Sequence, residues 1–187
     1  MIEVNENIVA ISCTTSTYGI LSIYRESDMM LYKEIEGDTN YAWIASQIAI
    51  ISSDYYHQVY YNSFNWTSSE NGQISVTEVF LNPNNTDLYT NFTTVTFQPS
   101  GSEYIGYGKH FYIDQSNISC STSSRLTGCK QYKMYIGNVN QDYNNRQTFD
   151  ALQICMYGQV YNSSSDTCYS PGYNQFSSDA QQETAHY

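Results

Sequence analysis

An all-β fold, an antiparallel β-sandwich or jelly roll of about nine strands, is what this sequence predicts. Three observations carry the prediction. The apolar residues are those that fit a pleated sheet, with 16 Ile, 8 Val and 20 Tyr against only 6 Leu. Apolar and polar residues alternate over short runs, as half-buried strands require. Asn, Gly, Asp and Pro recur between the runs at turn spacing. At 187 residues the chain is long enough for a real core, and no linker or repeat divides it. One domain over residues 1–173 is expected, followed by a polar tail over 174–187.

Taken in order, Val9, Ile11 and Cys13 share one parity and Ile8 and Ala10 the other, which reads as a strand covered on both faces and, lying near the N-terminus, as an element for assembly. Strands are expected over 19–24 and 29–35, separated by the turn Glu26-Ser27-Asp28. The block 41–51 stays open: Ile44, Ile48 and Ile51 recur at helical spacing, while the β-branched content favours strand. From Tyr56 on, Tyr60, Phe64 and Trp66 oppose Tyr61, Ser63, Asn65 and Thr67, the pattern of a half-buried strand with Asn65 towards solvent. Ser69-Glu70-Asn71-Gly72 is a hairpin turn signal, because Asn-Gly accepts positive φ. Ile74, Val76 and Phe80 then mark a strand, as do Val95 with Phe97. Ile105, Tyr107, Phe111 and Ile113 share a face in one longer run, Tyr132, Met134 and Ile136 in another, and a last strand spans 148–156.

Charge excludes some functions. The net charge is −11, with seven Lys and Arg in all, and a nucleic-acid backbone needs clustered cations to displace its counterions. An anionic membrane surface is disfavoured for the same reason, and no stretch approaches the roughly 20 apolar residues of a spanning helix. The charged share, 13%, is about half the usual quarter, so Asn, Ser, Thr, Gln and Tyr must supply solubility, a composition typical of secreted proteins. The opening MIEVNENIVAIS has neither the basic nor the apolar region of a signal peptide.

The cysteines and sequons point the same way. Cys120 and Cys129 close one short polar loop, and Cys155 and Cys168 another, so each pair suits a local disulfide, leaving Cys13 as a free or intersubunit thiol. Five unrelated buried thiols in an intracellular protein are the alternative. The pairs lack the spacing and the nearby His that zinc requires. Five N-glycosylation acceptors occur, at Asn65, Asn84, Asn91, Asn117 and Asn162; with 17 Asn in the chain chance yields nearly as many, so placement says more than number. Asn84, Asn117 and Asn162 fall in expected loops, where a glycan can be borne.

Other chemistry is weakly marked. Glu34, Glu36 and Asp38 alternate around Gly37 and are a weak calcium candidate, against the simpler reading of a solvated acidic turn. No other metal and no cofactor is expected. His57, His110 and His186 are scattered, and no catalytic motif is present. The aromatic residues Tyr56, Tyr60 and Trp66 could stack on sugar rings, as in a lectin, or could simply replace Phe and Leu in a moderately polar core.

The run Cys155-x-x-Gly158-x-x-Tyr161-Asn162, then Cys168-x-x-Pro171-Gly172, resembles one cysteine-rich EGF- or furin-like repeat of secreted protist surface proteins. The resemblance covers residues 155–172, lacks further cysteines and a second repeat, and implies secretion and disulfide bonding. The Asn, Ser, Tyr and Gln richness is likewise similar to that of protist extracellular-filament glycoproteins. Together these lead to the expectation of a non-catalytic secreted glycoprotein, a structural or adhesive subunit of an extracellular filament or surface coat. Its partners would be copies of itself or other extracellular glycoproteins. A lectin-like carbohydrate-binding domain is the alternative and a secreted hydrolase the third reading.

Overall fold

Regular structure in the computed structural model of the chain consists of strands, fourteen among the residues described, which are 1–5, 7–15, 17–38, 42–53, 56–64, 72–80, 94–97, 104–105, 108–117, 130–140, 146–155, 159–162, 164–165 and 167–169. The all-β expectation holds, although nine or so strands were expected. Four strands, of two to four residues each, are too short to leave an alternation signal of their own. The chain divides into two compact units, Met1–Phe111 with Ile136–Phe149, and Tyr112–Tyr135 with Asp150–Tyr187.

The first unit begins with an antiparallel sheet of β1 (Ile2–Asn5), β2 (Ile8–Thr14), β3 (Gly19–Arg25) and β4 (Leu31–Glu36), ordered as in the chain. Asn7, at φ 25°, turns β1 into β2, a positive φ that Asn tolerates better than most residues. The strand expected over 8–13 is β2, and it lies inside the sheet with a neighbour on each side; β1 takes the edge. Between β3 and β4 the Asp28 carboxylate accepts hydrogen bonds from Arg25 Nε at 2.8 Å and Nη2 at 2.6 Å, and from the Met30 amide at 3.1 Å. These donors, Arg25 foremost, hold the Asp28 pKa below the usual carboxylate value.

A second antiparallel sheet follows, of β5 (Trp43–Ser53), β6 (Tyr56–Phe64), β7 (Gln73–Phe80) and β8 (Thr94–Phe97). Strand β5 settles the block 41–51. Its pairing with β6 shifts between Ile44 and Ile48, and Ala45 sits there at φ 53°. Ile8, Ala10, Leu21 and Ile23 of the first sheet join Ile44, Ile48, Ile50, Val59, Tyr61 and Val79 of the second in one core. Asn5 Nδ2 adds a hydrogen bond to the Ile50 carbonyl at 2.9 Å. The two sheets thus bury a shared face, the favourable solution for two amphipathic layers.

The half-buried reading of β6 is corrected. Residues 57–64 are all buried, including Tyr61 and Ser63, whose polar groups suggested a solvent face. Central in its sheet, β6 has Val59 and Tyr61 in the shared core and Gln58, Tyr60, Asn62 and Phe64 on the opposite, equally covered face. The run expected from Ile105 to Ile113 is also corrected, because it breaks at Gly108, whose φ of 74° favours glycine. The pieces are β9 (Tyr104–Ile105) and β10 (Phe111–Asn117). They belong to a sheet ordered β10, β11 (Lys130–Asn140), β12 (Arg146–Ile154), with β9 pairing β11.

In the second unit Tyr132, Met134, Ile154 and Val160 are buried, and Gln153 Nε2 donates to the Tyr132 carbonyl at 2.9 Å. A two-stranded antiparallel hairpin, β13 (Val160–Asn162) and β14 (Thr167–Tyr169), completes the described structure. The polar tail expected over 174–187 lies outside the described residues.

Close approach of the two sheets in the first unit fixes Gly19. Its amide donates to the Ala42 carbonyl at 2.7 Å, and a Cβ there would lie 2.7 Å from the Ile44 nitrogen and 2.8 Å from its oxygen. Neither backbone atom can yield as a side chain would. Gly19→Ala is therefore expected to destabilise the first unit by about 1–3 kcal/mol, read as a lowered urea midpoint with the slope unchanged.

Candidate functional site

The disulfide-closed hairpin is the most distinct chemical feature among the described residues. Cys155 and Cys168 are bonded, with their Cα atoms 5.5 Å apart, as their spacing suggested. Cys155 is buried and follows β12, while Cys168 pairs with Tyr161 in the β13–β14 ladder. The bridge therefore ties the hairpin back to the end of β12, and Val160 beside it is buried. Cys120 and Cys129 lie outside the described residues. Cys13 is unbridged and exposed, opposite Ile20 on the face of the first sheet away from its core.

Asn162 ends β13 and is exposed. Its Oδ1 accepts hydrogen bonds from the backbone amides of Ser164 at 3.0 Å and Ser165 at 3.3 Å, an Asx turn that makes the tight connection to β14. With the carbonyl oxygen engaged inward, Nδ2, the atom a glycan would occupy, makes no hydrogen bond among the described residues. Asn117 closes β10, where a loop was expected. Asn65, Asn84 and Asn91 lie outside the described residues.

The aromatic candidates are not brought together as a sugar-binding face. Tyr60 is fully buried, with its hydroxyl donating to Gln58 Oε1 at 2.9 Å. A ring without exposed surface cannot stack on a sugar, so this assignment is withdrawn. Tyr56 begins β6, and Trp66 lies outside the described residues. The calcium candidates divide. Glu34 and Glu36 point to the same side of β4 away from the core, with Ser22 Oγ donating to Glu34 Oε2 at 3.2 Å, and Asp38 lies beyond the strand. Among the described residues no three His, Cys, Asp or Glu side chains gather to hold a metal ion.

A polar interior in β5, β6 and β7 was not anticipated. Gln58 Nε2 donates to buried Glu78 Oε1 at 3.3 Å. Asn62 Oδ1 accepts from the Gln47 amide at 2.8 Å, and its Nδ2 donates to Ser46 Oγ and to the Lys109 carbonyl, each at 2.8 Å. The Gln47 side chain in turn donates to the Phe111 carbonyl and accepts from the Phe111 amide. Tyr61, on the other face, has its pKa raised by burial, an effect partly offset by the Thr77 and Ser75 hydroxyls. No sequence signal marked it: β6 is covered because it pairs with β5 and β7 along most of its length, the position of a central strand.

His57 is the titratable group of this interior most open to test. It is fully buried, with Nδ1 2.7 Å from Ser52 Oγ and Nε2 without a hydrogen-bond partner among the described residues. Burial pushes its pKa down to about 4. Cross-strand register puts it on the face of Val79, opposite the face of Glu78, so the two do not form an acid–base pair. Since the unfolded chain binds the proton near pH 6.5 and the folded one only near 4, stability is full at neutral pH and falls as pH drops through that window. The expected loss is up to about 3 kcal/mol. Urea titrations from pH 8 to 4 should show wild type losing more stability than His57→Gln; parallel curves would contradict the assignment.

No family model, curated protein or solved structure matches the chain.

Proposed function

We propose that the chain is a non-catalytic secreted glycoprotein, a structural or adhesive subunit of an extracellular filament or surface coat, built as a β-sandwich. The observation that carries the reading is the coupling of a disulfide to an exposed sequon: Cys155–Cys168 closes the hairpin that presents Asn162. Disulfides persist in oxidising compartments, where N-glycans are also added. The acidic, charge-poor composition and the sheet-rich fold suit a durable extracellular unit. Burial of Tyr60 takes away a residue the lectin reading depended on.

Two measurements test the proposal. Intact mass after export through a eukaryotic secretory pathway should fall on deglycosylation and rise by two hydrogens per bridge on reduction, and Asn162→Gln should remove one glycan. Sedimentation and electron microscopy should then show assembly of the glycoprotein, alone or with an extracellular partner. An exported chain that is unmodified, reduced and monomeric would sink the reading. Within the fold, Cys168→Ser reopens a loop of 13-residue separation and is expected to cost about 3 kcal/mol in the second unit. A smaller change in the midpoint would mean that the hairpin is held mainly by packing.

A further inference from the structure

The first sheet has two edges, and they are built differently. Strand β4 carries Lys33, Glu34 and Glu36, and its pairing with β3 is irregular beside Ile23 and Tyr24, devices that discourage further pairing. Strand β1 is less guarded: it is four residues long with a single charge, Glu3, on its core-facing side, but its pairing with β2 is regular and its outward face is neutral. Met1 and Ser12 exchange both backbone hydrogen bonds, at 2.9 and 3.0 Å, so the alternation of an antiparallel ladder makes Ile2–Ile11 and Val4–Val9 the pairs that do not bond across β1 and β2. The N–H and C=O of Ile2 and Val4 therefore point away from β2, and they have no partner among the described residues. The same two side chains are exposed, at 64% and 55% of their surface.

From this we infer that β1 is the docking edge for an extended segment of another protein in which apolar residues alternate with Lys or Arg. The inference rests on the assembly reading above and names its contact. A strand added to β1 would place alternate side chains beside Ile2 and Val4, continuing an apolar strip that includes Ile11 and Val9. Its other side chains would lie beside Glu3 and Asn5, on the opposite face of the strand. A cation next to Glu3 is favoured, and the net charge of −11 attracts it from a distance. The same charge argues against a second copy, which brings an equal negative charge and only seven Lys and Arg.

The probe is a synthetic peptide alternating Lys and Val, added to the full chain, with amide exchange of Ile2 and Val4 read by NMR. Binding should slow both amides by about tenfold or more and weaken with added salt. A peptide alternating Glu and Val should have no effect. Val4→Pro removes an N–H that β2 does not use, so the hairpin stays intact while the edge is blocked, and the Ile2 protection should vanish. Val4→Lys, which keeps the N–H and adds an edge charge, should weaken binding as well. Unprotected amides, equal protection by both peptides, or protection of Ile2 that survives Val4→Pro would overturn the inference. So would self-association that Val4→Pro abolishes, since the occupant would then be a second copy. Filaments that form equally well with Val4→Pro would remove this edge from assembly and leave the filament reading standing, whereas an unmodified, monomeric secreted chain would sink that reading whatever the peptide does.

Discussion

Burial of β6 on both faces is the constraint on which the first unit depends. A strand with one wet face can leave its polar side chains to water, but residues 57–64 have no such face. Each buried donor and acceptor must find a partner inside or cost free energy. The chain meets this in part with neutral groups, an amide chain from Gln47 through Asn62 to the Lys109 carbonyl and a hydroxyl joining Tyr60 to Gln58, while Gln58 also meets the buried Glu78 and His57 Nε2 and Ser63 Oγ have no hydrogen-bond partner among the described residues. Neutral amides and hydroxyls are far less costly to desolvate than ions. A composition rich in Asn, Gln, Ser, Thr and Tyr and poor in charge is therefore suited to the interior as well as to the surface. The same network ties β5 and β6 to residues 109–111 by bonds that demand one register, which apolar packing alone does not.

Much of the fold was legible in the sequence because strand alternation is local. Strands β2, β3, β4, β7, β8, β11 and β12 fall where apolar residues recur at period two, within a residue or two of the expected limits for most of them. Misreadings arise where a second covered face erases that period. In β5 the helical spacing of Ile44, Ile48 and Ile51 comes from two different faces: Ile48 belongs to the core shared with the first sheet, whereas Ile51 pairs with Gln58 on the other side. The irregular pairing after Ile44 adds two residues to β5 relative to β6 and disturbs the pattern further. Strand β1 gave no usable signal because two apolar residues separated by Glu3 are too few to establish a period.

The candidate site was legible to the extent that its chemistry is contiguous. Cys155 and Cys168 are close in sequence, and a short loop makes their meeting entropically cheap. The sequon at Asn162 is a tripeptide and needs no tertiary information to be seen. Exposure is another matter, since it depends on what distant strands cover. Tyr60 and Tyr61 look alike in sequence, and both are buried because β6 is central. His57 gave no sign of burial for the same reason, having been read as one of three scattered histidines.

The distribution of charge completes the account of the first sheet. Long-range repulsion between copies depends on net charge and fades over roughly 8 Å at physiological ionic strength, whereas strand pairing acts only at contact. An acidic surface therefore keeps like chains apart during encounter without altering what an edge can do once a partner has arrived. On β4, where Lys33, Glu34 and Glu36 stand on the edge itself, charge also opposes pairing at contact. On β1 the one charge, Glu3, lies on the face turned towards the core side, and the outward strip of Ile2 and Val4 is neutral. Discrimination by such a surface comes from what it repels as much as from what it holds. Under the inference that β1 docks a cationic strand, the field opposes the encounter of acidic strands, and an apolar strand carrying cations is favoured both at distance and at contact.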